Sequence, residues 1–338
     1  MRPESLAATT RMALAFGMSL ASYWTRGAAR PFSASFAVTN RCNLRCSYCN
    51  TPFLDPTDLD LDRVDVLLQR LWDLGVRRLG LLGGEPLVRR DIGEIVSRAR
   101  ARGFYVSLNS NLNLYARRPE VFDEVDLVFT SLDGDAETHR ASRGERSYDG
   151  VLDAVADLVR RGKPLIAIAV VNEHNTGQAE VLLRQAETLG FSVHFQPQCS
   201  DTEIVRGGLS EDASNEKLRS FWAGLLDQKR AGRPVASSSA YLGAQASWSD
   251  FRVSAFHDPD ARCAAGRGFL YVDPQGRAYP CAYTKGKTRP VDLLQDDWRE
   301  RFRGDTPCTS CNVGPMLEFN LLYRQPFSAP LAAARRIG

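Results

Sequence analysis

The sequence carries almost no net charge. Its 338 residues hold 43 Lys+Arg against 40 Asp+Glu, a formal +3. So even a balance argues against nucleic acid as the main partner, because phosphate binding rests on an excess of positive charge. A membrane-spanning run is also missing. Met12 to Thr25 is uncharged but only 14 residues long, against the roughly 20 that a bilayer requires. Histidine and methionine are scarce, at four each. There is no low-complexity tract, and no repeat beyond an alternation of strand-like and helix-like segments. What is abundant is core material, 43% hydrophobic residues with 25% charged, ordinary for a globular chain of one large or two smaller domains. A chain of this size does not need cysteine staples. The eight cysteines therefore call for another explanation.

They stand at 42, 46, 49, 199, 263, 281, 308 and 311. Eight cysteines in a secreted chain allow 105 disulfide pairings, and in a reducing compartment they suggest metal ligation. Three packed into eight residues, with four more in the last quarter, favour metal or iron–sulfur ligation. The N-terminal stretch has the length of a signal h-region, and Gly27-Ala28-Ala29 follows it. Export is rejected because an exported iron–sulfur enzyme would be hard to assemble and keep reduced. Cytoplasmic location is expected. The stretch is read as an amphipathic helix with Phe16, Leu20, Tyr23 and Trp24 as its apolar stripe. Peripheral membrane contact is the weaker alternative and is not expected.

From Phe32 to Pro197, short apolar runs alternate with helix-period segments. Strands are expected at 32–38, 77–82, 104–108, 127–132, 165–171 and 191–196. Helices are expected at 61–74, 92–102, 148–161 and 178–189, with a short one near Val121. Six β-then-α units with buried strands give an α/β fold with a parallel sheet, a partial (β/α)6 TIM-like barrel whose reactive face lies at the strands' C-terminal ends. A helix at 215–230 follows, then a Ser-, Ala- and Gly-rich stretch, then a hairpin of 269–272 and 277–279 around Asp273-Pro274-Gln275-Gly276. The expected division is an N-terminal helical extension (1–31), the barrel (32–230), a linker or lid (231–260), a small Cys-rich extension (261–314) and a tail packing on the core (315–338). Arg252, His257 and Asp258 in the lid are polar residues placed to meet a substrate.

The first cysteine group, Cys42, Cys46 and Cys49, follows the first strand as C-x3-C-x2-C. Three thiolates hold three irons of a [4Fe–4S] cube and leave one open. A structural zinc site would want a fourth ligand nearby, and the next His is His139. With Tyr48 before the last cysteine, this segment resembles the radical S-adenosylmethionine (SAM) superfamily. The resemblance implies that SAM chelates the open iron, that one electron cleaves it to methionine and a 5′-deoxyadenosyl radical, and that this radical takes a hydrogen atom from a substrate. It implies an external electron donor of the flavodoxin or ferredoxin kind. It also implies SAM-binding roles for Gly83, Gly84, Glu85 and Pro86 after the second strand, with Glu85 as the clamp on the methionine amino group. Ser110 and Asn111 follow the third strand, where relatives often read Thr-Asn-Gly and this chain has Leu112 in the glycine's place. Ser131 and Asp133 after the fourth are read as ribose ligands, and Arg143 as the partner of the SAM carboxylate. His139 is read as a loop-fixing residue. Asn175 is read either as a polar family position or as a helix cap.

Cys263, Cys281, Cys308 and Cys311, spaced C-x17-C and C-x2-C, resemble the SPASM and twitch extensions. With no cysteine after Cys311, the shorter one-cluster twitch form is implied: a second, fully ligated [4Fe–4S] cluster that carries electrons. Spacing alone also allows a four-cysteine zinc site. Cys199 is read first as a small buried apolar residue and alternatively as a hydrogen-atom donor at the barrel mouth. The expected activity is a radical SAM oxidoreductase acting on a small molecule. The alternatives are a peptide- or protein-modifying enzyme and a lipid-modifying one. Against the peptide reading, Cys42 comes too early for the N-terminal peptide-recognition domain common in that class.

Overall fold

The computed structural model describes residues 3–26, 30–199, 202–210, 213–256, 263–301 and 306–324. In chain order the elements are α1 (Pro3–Arg26), β1 (Ser33–Thr39), α2 (Leu61–Leu74), β2 (Arg78–Gly83), α3 (Ile92–Arg102), β3 (Tyr105–Asn109), β4 (Leu127–Ser131), α4 (Ala136–Arg143), α5 (Val151–Arg160), β5 (Leu165–Val171), α6 (Ala179–Leu189) and β6 (Ser192–Pro197). There follow α7 (Asn215–Arg230), α8 (Ser239–Ala246), β7 (Ala255–Phe256), β8 (Phe269–Val272), β9 (Arg277–Tyr279), β10 (Val291–Asp292), α9 (Trp298–Arg301), β11 (Ser310–Cys311) and α10 (Gly314–Arg324).

Strands β1 to β6 pair in sequence order, all parallel. Their side chains alternate with period two. One set, including Phe36, Leu81, Leu108 and Val128, is fully buried under the helices. The other set, including Ser35, Gly80, Ser107, Phe129 and Ile168, lines an internal cavity of about 610 Å³. The helices bury matching stripes. In α2 these are Val64, Leu67, Leu68 and Leu71, all at 0% exposure, each worth about 1.5–3 kcal/mol relative to exposure. Asp60 caps its start by accepting from the Arg63 N–H, and Gly75 ends it at φ +104°. The result is the expected partial (β/α)6 barrel. The edge of β6 is covered by the chain at 234–236, through Val193 N–H to Pro234 O (2.8 Å) and Ala236 N–H to Val193 O (2.7 Å).

The C-terminal hairpin does not stand apart. β8 pairs parallel with β1, from Ser33↔Phe269 to Phe36↔Val272, and β9 and β10 continue the same nine-stranded sheet. α10 closes one side of the cavity through Met316, Phe319 and Leu322.

Three local expectations are corrected. α1 exists and packs Phe16, Leu20 and Tyr23 on the C-terminal apolar cluster, but Trp24 is 53% exposed and lies off that stripe. The Ser-rich lid stretch contains α8, because Ser238 caps a helix by accepting from the Tyr241 N–H. α4 was not anticipated, since its sequence AETHRASR has no apolar stripe. It is started by Asp135, which accepts from the Thr138 N–H, and it buries His139 and Arg143.

Candidate active site

β1 delivers the first cysteine loop to the C-terminal end of the barrel. Two neighbours hold it. Thr202–Arg206, after β6, clasps it through Asn50 N–H to Ile204 O (3.1 Å), Arg206 N–H to Tyr48 O (3.1 Å) and Arg206 Nε to Ser47 O (3.0 Å). The end of β2 grips its root through Gly84 N–H to Thr39 O (2.8 Å) and Glu85 N–H to Arg41 O (2.9 Å). The paired glycines are required here. A Cβ on Gly83, whose φ is +144°, would lie 2.2 Å from Thr39 O, and one on Gly84 would lie 2.3 Å from Arg41 O. Both are impossible contacts with backbone. Gly84→Ala must displace the cysteine loop. We expect 5′-deoxyadenosine formation to fall on the order of a hundredfold, with the C-terminal four-cysteine site unaffected by metal analysis.

Glu85 is fully buried. Its carboxylate accepts from the Leu87 N–H (3.0 Å), Ser110 Oγ (2.8 Å) and the Asn111 N–H (2.7 Å), tying the end of β2 to the end of β3. Burial pushes its pKa up to about 7, against three donors that favour the ionised form. Three donors of its own chain thus orient this carboxylate, which leaves it acceptor capacity for the amino group that the resemblance assigns to it. Pro86 is buried behind it. Ser110 serves Glu85, and Asn111 Nδ2 reaches Asn43 in the cysteine loop (2.9 Å). Leu112 adopts φ +61°, the left-handed region that suits the glycine found there in relatives. Its side chain, 1% exposed, is held in the core.

Ser131 ends β4 on the cavity-facing set and is half-buried. Asp133 and Arg143, read above as ligands of the SAM ribose and carboxylate, pair with each other. They form a buried ion pair, Nε to Oδ2 at 2.6 Å and Nη2 to Oδ1 at 3.2 Å, with exposures of 1% and 7%. Ser142 Oγ (2.9 Å) and the Val170 N–H (2.9 Å) also donate to Asp133. Burial opposes ionisation of Asp133, but Arg143 outweighs it and the pKa is lowered. His139 Nδ1 accepts from the Asp133 N–H (3.3 Å), and burial lowers its pKa to about 4, so it is a neutral loop-fixing group. Asn175 donates to Asp133 O and Val170 O (3.2 and 2.7 Å) and makes no side-chain cap. Arg143 lies 5.4 Å from the Tyr48 ring centroid, and Tyr48 Oη is buried with no hydrogen-bond partner among the described residues.

Two supporting residues carried no readable signal. Arg89, 3% exposed, donates to Val38 O (2.8 Å) and Leu59 O while pairing with Asp91 (2.7 Å). Glu203, in the clasp, pairs with buried Lys285 beside the C-terminal cysteines (3.0 Å). Asp91 is near Arg89 in sequence, but the carbonyls that bury Arg89 and the partner of Glu203 lie far away in it.

The seven cysteines of the two motifs are free thiols and fall into two sets. Burial pushes the Cys42 thiol up to about 12 and raises that of Cys46, and the neighbouring thiols of the loop add to both. Burial likewise takes Cys281 to about 12 and raises Cys311, with Cys263 and Cys308 close enough to add to both. Clustered buried thiols that resist ionisation fit a cationic centre, an iron–sulfur cluster or a metal ion, whose charge stabilises several adjacent thiolates. Among the described residues no three such side chains converge at the spacing of a single metal ion. Cys263 Sγ accepts from Asn320 Nδ2 (3.4 Å) and Ala265 N–H (3.5 Å). Cys199 fits the first of its two readings, a small apolar residue. It packs in the apolar cluster that includes Cys263, Cys281 and Phe269, and is not among the residues lining the barrel cavity. Arg252 pairs with Asp250 on the surface (2.9 Å), and His257 and Asp258 lie outside the described residues. No described helix is long and apolar enough to cross a membrane.

A partial barrel with three thiols at its mouth and four behind its extra hairpin defines a class, and the comparisons name it. Residues 36–186 match the Radical SAM superfamily, so the barrel is a radical SAM domain, with the hairpin and the last four cysteines beyond it. The chain is similar to the PqqA peptide cyclase of Streptomyces rochei, 28% identical over 260 residues, covering 74% of this chain and 69% of that one. It is also similar to the PqqA peptide cyclase of Xanthomonas euvesicatoria pv. vesicatoria, 26% identical over 294 residues, covering 81% and 73%. In fold it resembles Streptococcus suis SuiB bound to S-adenosylmethionine, with TM-score 0.66 at 16% identity over 86% of this chain and 69% of that one. It likewise resembles anSMEcpe with bound AdoMet, with TM-score 0.60 at 15% identity over 90% of this chain and 100% of that one.

Proposed function

We propose that this radical SAM enzyme modifies a peptide, in place of the small molecule that the sequence first suggested. The observation that carries this reading is its similarity, over about three quarters of the chain, to two PqqA peptide cyclases. In this reading Cys42, Cys46 and Cys49 hold the SAM-binding [4Fe–4S] cluster, and Cys263, Cys281, Cys308 and Cys311 hold a second one. When bound, these groups supply one-electron cleavage of SAM and hydrogen-atom abstraction from the substrate. The chain's own residues orient and exclude. The Gly83-Gly84 turn and Asn111 shape the edge of the SAM site against the cysteine loop. Ser131 stands at the C-terminal end of β4, where a ribose hydroxyl would reach it. Asp133 and Arg143 act as positioning residues that hold the β4–α4 turn against Tyr48. The reductant is an external flavodoxin- or ferredoxin-like protein.

The test is anaerobic reconstitution with SAM and dithionite, with 5′-deoxyadenosine and peptide mass followed together. A precursor peptide encoded beside the gene is expected to raise 5′-deoxyadenosine above background and to change in mass. Stimulation by alcohols or sugars, with every peptide inert, would return the small-molecule reading to first place.

A further inference from the structure

The barrel cavity, at about 610 Å³, has the size of a small-ligand pocket. Most of its wall is apolar or hydroxylic, as at Leu82, Phe129, Ile168, Ser35 and Ser107. Arg78 is out of keeping. It begins β2, at the end of the strand away from the cysteine loop, and is half-buried in the cavity wall. Its guanidinium donates to Ser33 Oγ (3.2 Å) and lies 5.8 Å from the Phe319 ring centroid, and among the described residues it makes no ion pair. The other ionisable groups of the lining are engaged. Lys229 Nζ donates to Val235 O (2.9 Å), Glu318 Oε1 accepts from the Ser238 N–H (2.6 Å), and His194 Nδ1 shares a hydrogen bond with Ser237 Oγ (2.9 Å).

Keeping a charge in an apolar wall without a counter-ion is costly. The planar fork of arginine, with most of its donors unused, matches a carboxylate. We propose that Arg78 binds a carboxylate of the substrate, side-chain or C-terminal, and so fixes how deeply the substrate enters the barrel. From Arg78 to Leu82, level with the cysteine loop, the strand rises about 13 Å. An anion held at Arg78 therefore leaves the reacting carbon well above it, toward the mouth. The inference rests on the peptide reading only for the kind of molecule that bears the carboxylate.

The test uses reconstituted, SAM-loaded protein and calorimetric titration with four probes: N-acetyl-glutamate methylamide, its glutamine counterpart, N-acetyl-leucine and glutarate. At least one acid is expected to bind about tenfold or more tightly than the glutamine probe. Arg78→Gln removes that preference and Arg78→Lys keeps part of it. A preference for the glutamate probe points to a side-chain carboxylate, and one for N-acetyl-leucine to a chain terminus. Preference for glutarate alone upholds the anion site and counts against a peptide. Equal binding of acids and amide, or a preference that survives Arg78→Gln, overturns the proposal and leaves the peptide reading to its own mass test. Arg78→Met separates binding from architecture. A ligand-binding arginine predicts an unchanged or higher melting temperature without substrate, and a clear drop assigns Arg78 a structural role and overturns the proposal.

Discussion

Cys46→Ala is expected to abolish 5′-deoxyadenosine formation and to halve the iron content, from about eight to about four per chain. Cys46 is the most buried of the three N-terminal thiols, at 8% exposure. Its loop is pinned by Cys49 N–H to Cys46 O (3.1 Å) and by the Arg206 clasp. The substitution leaves only two thiols for a centre that needs three. Cys311→Ala is the counterpart. It should remove the other four irons, leave SAM cleavage in place, and stop turnover of substrate. Iron and sulfide analysis with chromatography of 5′-deoxyadenosine decides both. Unchanged cleavage in Cys46→Ala would sink the assignment of the N-terminal site, and zinc at the C-terminal four cysteines would sink an electron-carrying role there.

The second large effect is on stability. Asp133→Ala strands the Arg143 guanidinium in a site that is nearly closed to water. Removing one partner of a buried ion pair costs about 3–5 kcal/mol, which corresponds to a fall in melting temperature on the order of 10 °C. Asp133→Ala combined with Arg143→Met removes both charges and should recover much of the loss. The pH dependence has a definite sign. The folded-state pKa of Asp133 lies below its ordinary 3.8, so its contribution is complete at neutral pH and is lost as the pH falls through the folded value. The loss also reaches the active site, because Ser142 O receives the Ser47 N–H (2.8 Å) and Arg143 sits over Tyr48. Melting curves of the single and double variants, with iron content measured on each, test the argument. An Asp133→Ala protein as stable as the wild type would refute it.

Much of the fold could be read from the chain because its signals are local. The stripe Val64, Leu67, Leu68 and Leu71 marked α2 to the residue, the near-continuous apolar run 165–171 marked β5, and Asp273-Pro274-Gln275-Gly276 marked the hairpin. What escaped depended on distant partners. Nothing near residue 269 says that β8 will pair with β1. α4 hides because its buried face is made of His139 and Arg143, which are polar and owe their burial to Asp133. The motif residues were found, but some of their tasks were not. Glu85 and Asp133 were expected to reach outward; Asp133 takes four donors of its own chain, and Glu85 is oriented by three. A motif marks a position, whereas the number of donors already pointing at a carboxylate appears only in three dimensions.

The β1–β8 pairing bears on how such a protein can diversify. Residues 33–36 lie beside residues 269–272 through backbone hydrogen bonds, so the offset between the two cysteine sets is written into a sheet register. The stretch from α7 to α8, which carries Ala236, Ser238 and Ser239 to the cavity wall and holds none of the seven motif cysteines, is free of that constraint, unlike the Thr202–Arg206 clasp before it and β7 and Cys263 after it. Insertions, deletions or exchange of that segment can change what the barrel admits while the spacing of the two metal sites stays as it is.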